Sequence, residues 1–338
     1  MNIAIVTPYG NAYDRDRLFD LDACKIGENL LLPGIMLRRK LEELGHNYHT
    51  ADMYDFSDID VLVFQDLNHN SKLLLSSPVD VLKYVIKKKW KNDYLYKCVK
   101  GTKPVRKILL MQEPPVIFPQ SCDLRYHRYF DRVLTWNSEL VDGQKYFQFF
   151  YPQVMPLSRT ECPYEKKKYL TMICGNKSSN HPDELYSKRK AVIEFYDSTN
   201  GDLDLYGFGW DRDKIKSYRG SIDKKIATLS QYKFSICFEN MCHVNGYITE
   251  KIFDCFFAGC VPVYWGAENI AEYVPENTFI DYRKFESIRQ MDSYLKNMSH
   301  EVYFQYITAI NDYLDSPEFT QRFGVDSYVE RLLQVILE

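Results

Sequence analysis

Glu250 and Lys251 stand side by side in Gly246-Tyr247-Ile248-Thr249-Glu250-Lys251-Ile252, directly after an apolar run ending Phe238-Glu239-Asn240. A carboxylate accepts hydrogen bonds from sugar hydroxyls, and an ammonium beside free helix N–H groups attracts phosphate. On a helix opened by Gly246, Tyr247, Glu250, Lys251 and Asp254 fall on one face and Ile248, Ile252, Cys255, Phe256 and Gly259 on the other. The apolar face packs on a sheet and the polar face meets a ligand or solvent. A strand, loop, helix and second strand, Phe234 to Ile270, would place that helix start at the carboxyl edge of a parallel sheet, where ligands bind in open α/β folds.

Two further groups suit the same chemistry. Arg189 lies near an apolar helical stripe of Leu185, Val192, Phe195 and Tyr196. A guanidinium drawn toward the interior needs an anion, either a phosphate or an acidic neighbour. Glu113 ends the run Lys107–Gln112 and precedes Pro114-Pro115, which stop the strand and leave the carboxylate at the sheet's carboxyl edge. There it suits a general base for a hydroxyl nucleophile, or it is a solvated loop residue.

The elements around these residues alternate. Asn2–Thr7, Val61–Phe64, Ile108–Met111 and Arg132–Trp136 read as buried strands, with a helix over Asn29–Leu44 kinked near Pro33-Gly34. The Pro-rich stretch Tyr151–Lys168 reads as a linker. Strands are expected again at Tyr169–Cys174, Asp204–Tyr206, Phe234–Phe238, Val261–Tyr264 and Thr278–Ile280. Helices are expected near Asp183–Asp197, Ile222–Ser230, Ile248–Ala258, Phe285–Asn297, His300–Leu314 and Ser327–Leu337. The fold class is therefore α/β, with two Rossmann-like domains, 1–155 and 165–325, and a C-terminal helix over 326–338. Two parallel sheets facing across a cleft would be the GT-B architecture. A length of 338 residues fits two domains of about 150 residues each.

Composition removes other classes. Forty-three Lys plus Arg against 46 Asp plus Glu give a net charge of −3, without the basic excess of a dedicated nucleic-acid binder. Nine cysteines include no Cys-x-x-Cys pair, so reduced thiols in a cytoplasmic protein are expected. Asp-x-Asp recurs five times, too often to mark a metal site. No apolar run approaches the roughly 20 residues of a membrane span. Lys83–Lys107 carries ten basic residues against Asp93 alone, a solvated face or a peripheral contact with an anionic membrane surface at the inner face.

The run Tyr232–Asn240, the motif Gly246–Ile252 and Gly259–Ala267 resemble the α-1,3/α-1,4-fucosyltransferases of glycosyltransferase family 10. Weaker similarity covers Thr171–Lys177, Tyr206–Trp210, Phe279–Arg283, Gln112–Pro115 and Val133–Trp136. The resemblance implies GDP-fucose as donor. Tyr247, Glu250 and Lys251 match donor-site residues, Arg189 the phosphate-binding arginine, and Asn240, Gly175 and Asn176 positions that hold the nucleotide. Glu113 matches the proposed catalytic base. The implied reaction is an inverting transfer of fucose to a hydroxyl of an oligosaccharide or glycolipid acceptor, needing no divalent metal. Met241–Asn245 replaces the family's Ser-led loop, which leaves open another nucleotide sugar, or a non-catalytic nucleotide- or glycan-binding protein.

Overall fold

A computed structural model describes residues 1–24, 29–67, 93–156 and 162–338. The expected basic stretch Lys83–Lys107 lies outside the described residues up to residue 92. The chain divides into two compact units at Phe149/Phe150 rather than at residue 155, and the terminal segment Tyr328–Glu338 belongs to the first unit.

In the first unit, β1 (Asn2–Val6) leads to α1 (Leu32–Glu43), β2 (Asn47–Thr50), β3 (Val61–Gln65), α2 (Tyr94–Lys100), β4 (Arg106–Leu110), α3 (Leu124–His127), β5 (Arg132–Thr135) and β6 (Tyr146–Gln148). These strands form a parallel sheet in the order β2-β1-β3-β4-β5-β6. Both faces must be covered, and Ile3, Ala4, Leu62, Ile108, Leu109 and Val133 are accordingly solvent-free. The expected kink at Pro33-Gly34 is absent. Pro33 sits in the first turn of α1, where its missing N–H costs no helical hydrogen bond.

The second unit repeats the plan. β7 (Lys168–Ile173), α4 (Tyr186–Thr199), β8 (Leu203–Tyr206), β9 (Tyr218–Gly220), α5 (Lys225–Leu229), β10 (Tyr232–Phe238), α6 (Glu250–Phe257), β11 (Val261–Trp265) and β12 (Ile280–Asp281) precede α7 (Ile288–Lys296), α8 (His300–Leu314) and α9 (Pro317–Phe323). The last helix, α10 (Val325–Leu337), continues into the first unit. The parallel sheet order is β12-β11-β10-β7-β8-β9. Read from the other edge, this is the doubly wound Rossmann order, whose direction of winding reverses between β7 and β10. Phe253, Phe256, Phe257, Phe319 and Phe323 pack as a ring cluster beneath α6.

Each sheet thus has a winding reversal that leaves a crevice outside the strand ends. In the first unit it falls between β1 and β3, beside the residues that follow Val6 and Gln65. In the second it falls between Cys174 and Glu239. Among the described residues no helix is long and apolar enough to cross a membrane.

Candidate functional site

At the carboxyl end of β10, Glu239 is wholly buried. Its carboxylate accepts from the Thr249 N–H at 2.8 Å, the Thr249 hydroxyl at 2.9 Å and Lys251 Nζ at 3.0 Å. Thr249 is the N-cap of α6 and accepts the Lys251 N–H. The helix therefore begins at Glu250, later than the Gly246 start expected from its periodicity. Close approach is allowed by Gly266, where a Cβ would stand 2.5 Å from Glu239 Cγ and 2.4 Å from the Tyr264 hydroxyl.

Arg189 on α4 is buried and spends Nη2 on the carbonyls of Phe238 (2.6 Å) and Glu239 (2.7 Å), with Asn240 Oδ1 at 3.2 Å. It clamps the strand end that carries Glu239 and Asn240. Asn240 Nδ2 in turn donates to the Tyr247 hydroxyl at 3.2 Å. Tyr247 is a correction: at 1% exposure it is a buried residue ahead of the helix, set edge-on against Tyr151, and not on an open polar face. Its helical phase carried no information because it is not in the helix.

Lys225, at the start of α5, was not among the expected site residues. Its Nζ lies 2.5 Å from Asp254 Oδ2 and 3.8 Å from Glu250 Oε1. Lys251 is also 3.8 Å from Glu250 Oε1. Burial pushes the Glu250 carboxyl up, but Lys251 and Lys225 outweigh it and hold the group at about 2. Asp254 goes the other way, raised by burial to about 6 despite Lys225. Burial lowers Lys251, but Glu239 and Glu250 more than reverse that, so its ammonium is held above the ordinary range. Arg189, Lys225 and Lys251 line one small cavity with Cys174, Cys237 and Cys255. Three cations are matched by three carboxylates, of which Glu250 has the most exposed side chain, at 45%. Nothing in the spacing of Lys225 pointed to this role; only the fold brings α5 beside α6.

Gly175 and Asn176 follow β7 on the other side of the winding reversal. Asn176 donates its N–H to the Phe208 carbonyl at 2.9 Å and its Nδ2 to the Gly209 carbonyl at 3.0 Å. Gly207, at φ +133°, is compulsory in this joint because a Cβ there would stand 2.0 Å from the Cys174 carbonyl oxygen. The loop Met241–Asn245 is tied down as well: Cys242 N–H bonds the Asp183 carbonyl, and His243 Nδ1 lies 2.6 Å from Glu268.

In the first unit Glu113 follows β4 as expected, half-buried before Pro114. Its N–H and that of Gln112 donate to the two oxygens of Asp66, at 3.0 and 3.1 Å. The Tyr9 hydroxyl hydrogen-bonds the Glu113 side chain. Neither Asp66 nor Tyr9 was expected, since each lies far from Glu113 in sequence.

Two doubly wound parallel units are the fold of the GT-B glycosyltransferases. The solved structure of an α1,3-fucosyltransferase with GDP superposes with a TM-score of 0.54 at 13% identity, covering 100% of this chain and 90% of that one. An α-glucosyltransferase with UDP and DNA gives 0.57 at 10% identity, with both chains covered in full. Residues 163–321 match the C-terminal domain of glycosyltransferase family 10 (fucosyltransferase). It is through this second unit that the chain is similar to family 10.

The α-(1,3)-fucosyltransferase FucT of Helicobacter pylori is 34% identical over 121 residues, 36% of this chain and 23% of that protein. The rat 4-galactosyl-N-acetylglucosaminide 3-α-L-fucosyltransferase 9 is 27% identical over 224 residues, 64% of this chain and 56% of its own length. The chain thus spans little more than half, or less, of the curated relatives it matches.

Proposed function

We propose that the protein is an inverting fucosyltransferase that moves L-fucose from GDP-β-L-fucose to a hydroxyl of a glycan or glycolipid acceptor. The observation that carries this reading is the convergence of Arg189, Lys225 and Lys251 at the winding reversal of the unit that is similar to family 10. Three cations there suit the charge of a diphosphate, and Glu250, the most exposed carboxylate, suits sugar hydroxyls. Asn240, Gly175 and Asn176 flank the same crevice on its two sides and suit the nucleoside. Tyr247 acts from behind, by fixing Asn240.

Glu113 takes the proton of the acceptor hydroxyl while that oxygen bonds to the anomeric carbon. The bond from that carbon to the β-phosphate oxygen breaks, GDP departs and the β-linkage becomes an α-fucoside. The cations stabilise the leaving diphosphate in place of a metal ion, a role in which one lost donor costs on the order of 10²-fold in rate. Activity in excess EDTA is the expected result.

The test pairs a transfer assay with calorimetry. GDP binds the wild type, labelled GDP-fucose gives product on a glycan array, and Glu113→Gln retains GDP affinity while losing most turnover. A panel of GDP- and UDP-sugars in a hydrolysis assay tests the donor; preference for a UDP-sugar overturns fucose. GDP binding without transfer to any acceptor would indicate a binding protein on this fold.

A further inference from the structure

Asp66 is the first residue beyond β3, at the winding reversal of the first sheet, and it is 2% exposed. Its backbone lies in the left-handed region at φ +56°, a conformation that costs an aspartate strain unless its surroundings enforce it. Those surroundings are specific. Both carboxyl oxygens receive N–H groups of the Gln112-Glu113 turn, and the Ser121 hydroxyl also bonds the group. Ser121 is buried and fixed in turn, accepting the Leu67 N–H at 2.7 Å while its carbonyl meets His127 Nε2 at 2.7 Å. A buried, strained carboxylate is therefore built to hold the two residues that present Glu113.

Tyr9, beyond the carboxyl end of β1, completes the arrangement from the open side. It is 45% exposed, packs edge-on against Phe118 and Tyr13, and hydrogen-bonds the Glu113 side chain. Burial, then the Glu113 and Asp66 carboxylates, push its phenol well above the usual range, so it stays a proton donor. We propose that Asp66 and Tyr9 are positioning residues for Glu113, one fixing its backbone from the interior and the other its carboxylate from the solvent side. This rests on the reading of Glu113 as the base.

The groups facing Asp66 are Glu113, Tyr9, the Cys122 thiol and the Ser121 hydroxyl. Burial raises the Asp66 carboxyl to about 8; the Glu113 charge adds to this, and the N–H groups and Ser121 oppose it. At neutral pH Asp66 keeps its proton, so Asp66 and Glu113 together hold at most one negative charge. Ionisation of Asp66 near pH 8 then places a second charge behind the base.

The experiment measures kcat, KM and pH profiles for Asp66→Asn, Tyr9→Phe, Glu113→Gln and Asp66→Asn/Glu113→Gln. Asp66→Asn is expected to lower kcat about 10- to 100-fold with KM for both substrates nearly unchanged, as a displaced catalytic group does. It also removes the alkaline inflection near pH 8. The double variant is no slower than Glu113→Gln alone, because the two act as a unit. Tyr9→Phe, which leaves the core untouched, raises the acid limb of the profile because Glu113 loses a hydrogen bond to its charged form. If Glu113→Gln is inactive while Asp66→Asn and Tyr9→Phe both keep wild-type rates and profiles, the positioning role is wrong. The same holds if the double variant falls a further tenfold. If Glu113→Gln is itself active, the base assignment is what fails. Should Asp66→Asn not fold, Tyr9→Phe with its pH profile decides the matter.

Discussion

Lys225 Nζ stands 2.5 Å from Asp254 Oδ2, so the first turn of α5 is bonded to the polar face of α6 at the place where the diphosphate is proposed to sit. A cation that already has a carboxylate partner can hold an anion without being left as an isolated charge when the site is empty. Lys251 follows the same pattern on Glu239, whereas Arg189 is held by main-chain carbonyls, which are neutral.

Lys225→Met is expected to strand Asp254 and lose stability. The side chains are 22% and 15% exposed, which places the loss toward the low end of the roughly 3–5 kcal/mol expected when one partner of a buried pair is removed. GDP affinity should fall about tenfold or more. Adding Asp254→Asn restores part of the stability but none of the affinity, which denaturant titration and calorimetry measure separately.

Arg189→Lys should behave almost as badly as Arg189→Ala. All three contacts, to the carbonyls of Phe238 and Glu239 and the Asn240 side chain, come from Nη2, and a lysine stem, one bond shorter and not planar at its end, does not bring its ammonium to that point. Each orphaned buried acceptor costs about 1–3 kcal/mol. A thermal melt and GDP titration of Arg189→Lys check this; wild-type values for both would show the clamp to be dispensable.

Gly266→Ala places a methyl group 2.5 Å from Glu239 Cγ and 2.4 Å from the Tyr264 hydroxyl. Overpacking of a core costs about 1–3 kcal/mol. Because Glu239 must move, Lys251 moves with it, so GDP affinity should drop alongside the melting temperature, although residue 266 carries no functional group.

Asp66 predicts a pH dependence of stability. Its carboxyl is raised in the fold, from 3.8 to about 8, so the stability it contributes is present below about pH 4 and is lost as pH rises toward 8. Asp254, raised to about 6, acts in the same direction over a narrower range, whereas Glu250, lowered to about 2, loses its contribution only as pH falls below its ordinary 4.5. Denaturant midpoints of Asp66→Asn between pH 5 and pH 8 should vary less than those of the wild type. An equal slope for the two proteins would refute the shift.

The central strands were legible because a parallel strand covered on both faces is a continuous apolar run, as in Phe234–Phe238 and Val261–Tyr264. The edge strands Asn47–Thr50, Tyr146–Gln148 and Tyr218–Gly220 were not, being short and partly exposed. The placement of Arg189, Asn240, Glu250, Lys251 and Glu113 at strand ends and on helices was legible. Lys225, Asp66 and Tyr9 were not, because only the fold brings each to its partner: α5 lies beside α6, and the ends of β1, β3 and β4 are neighbours in the first sheet. Tyr247 shows the opposite error, a helical phase applied three residues before the helix begins.

The terminal segment Tyr328–Glu338 packs into the first unit, with Tyr328 edge-on against Phe149 and Arg106 bonded to the carbonyls of Val335 and Ile336. On the ribosome, residues 1–149 are made first but lack this piece until residues 328–338 have emerged. The intervening unit is contiguous from Phe150 and can close before then. The unit that carries Glu113 therefore waits for a segment made after the other unit, and a chain cut just before Tyr328 would keep the second unit while leaving the first without this helix.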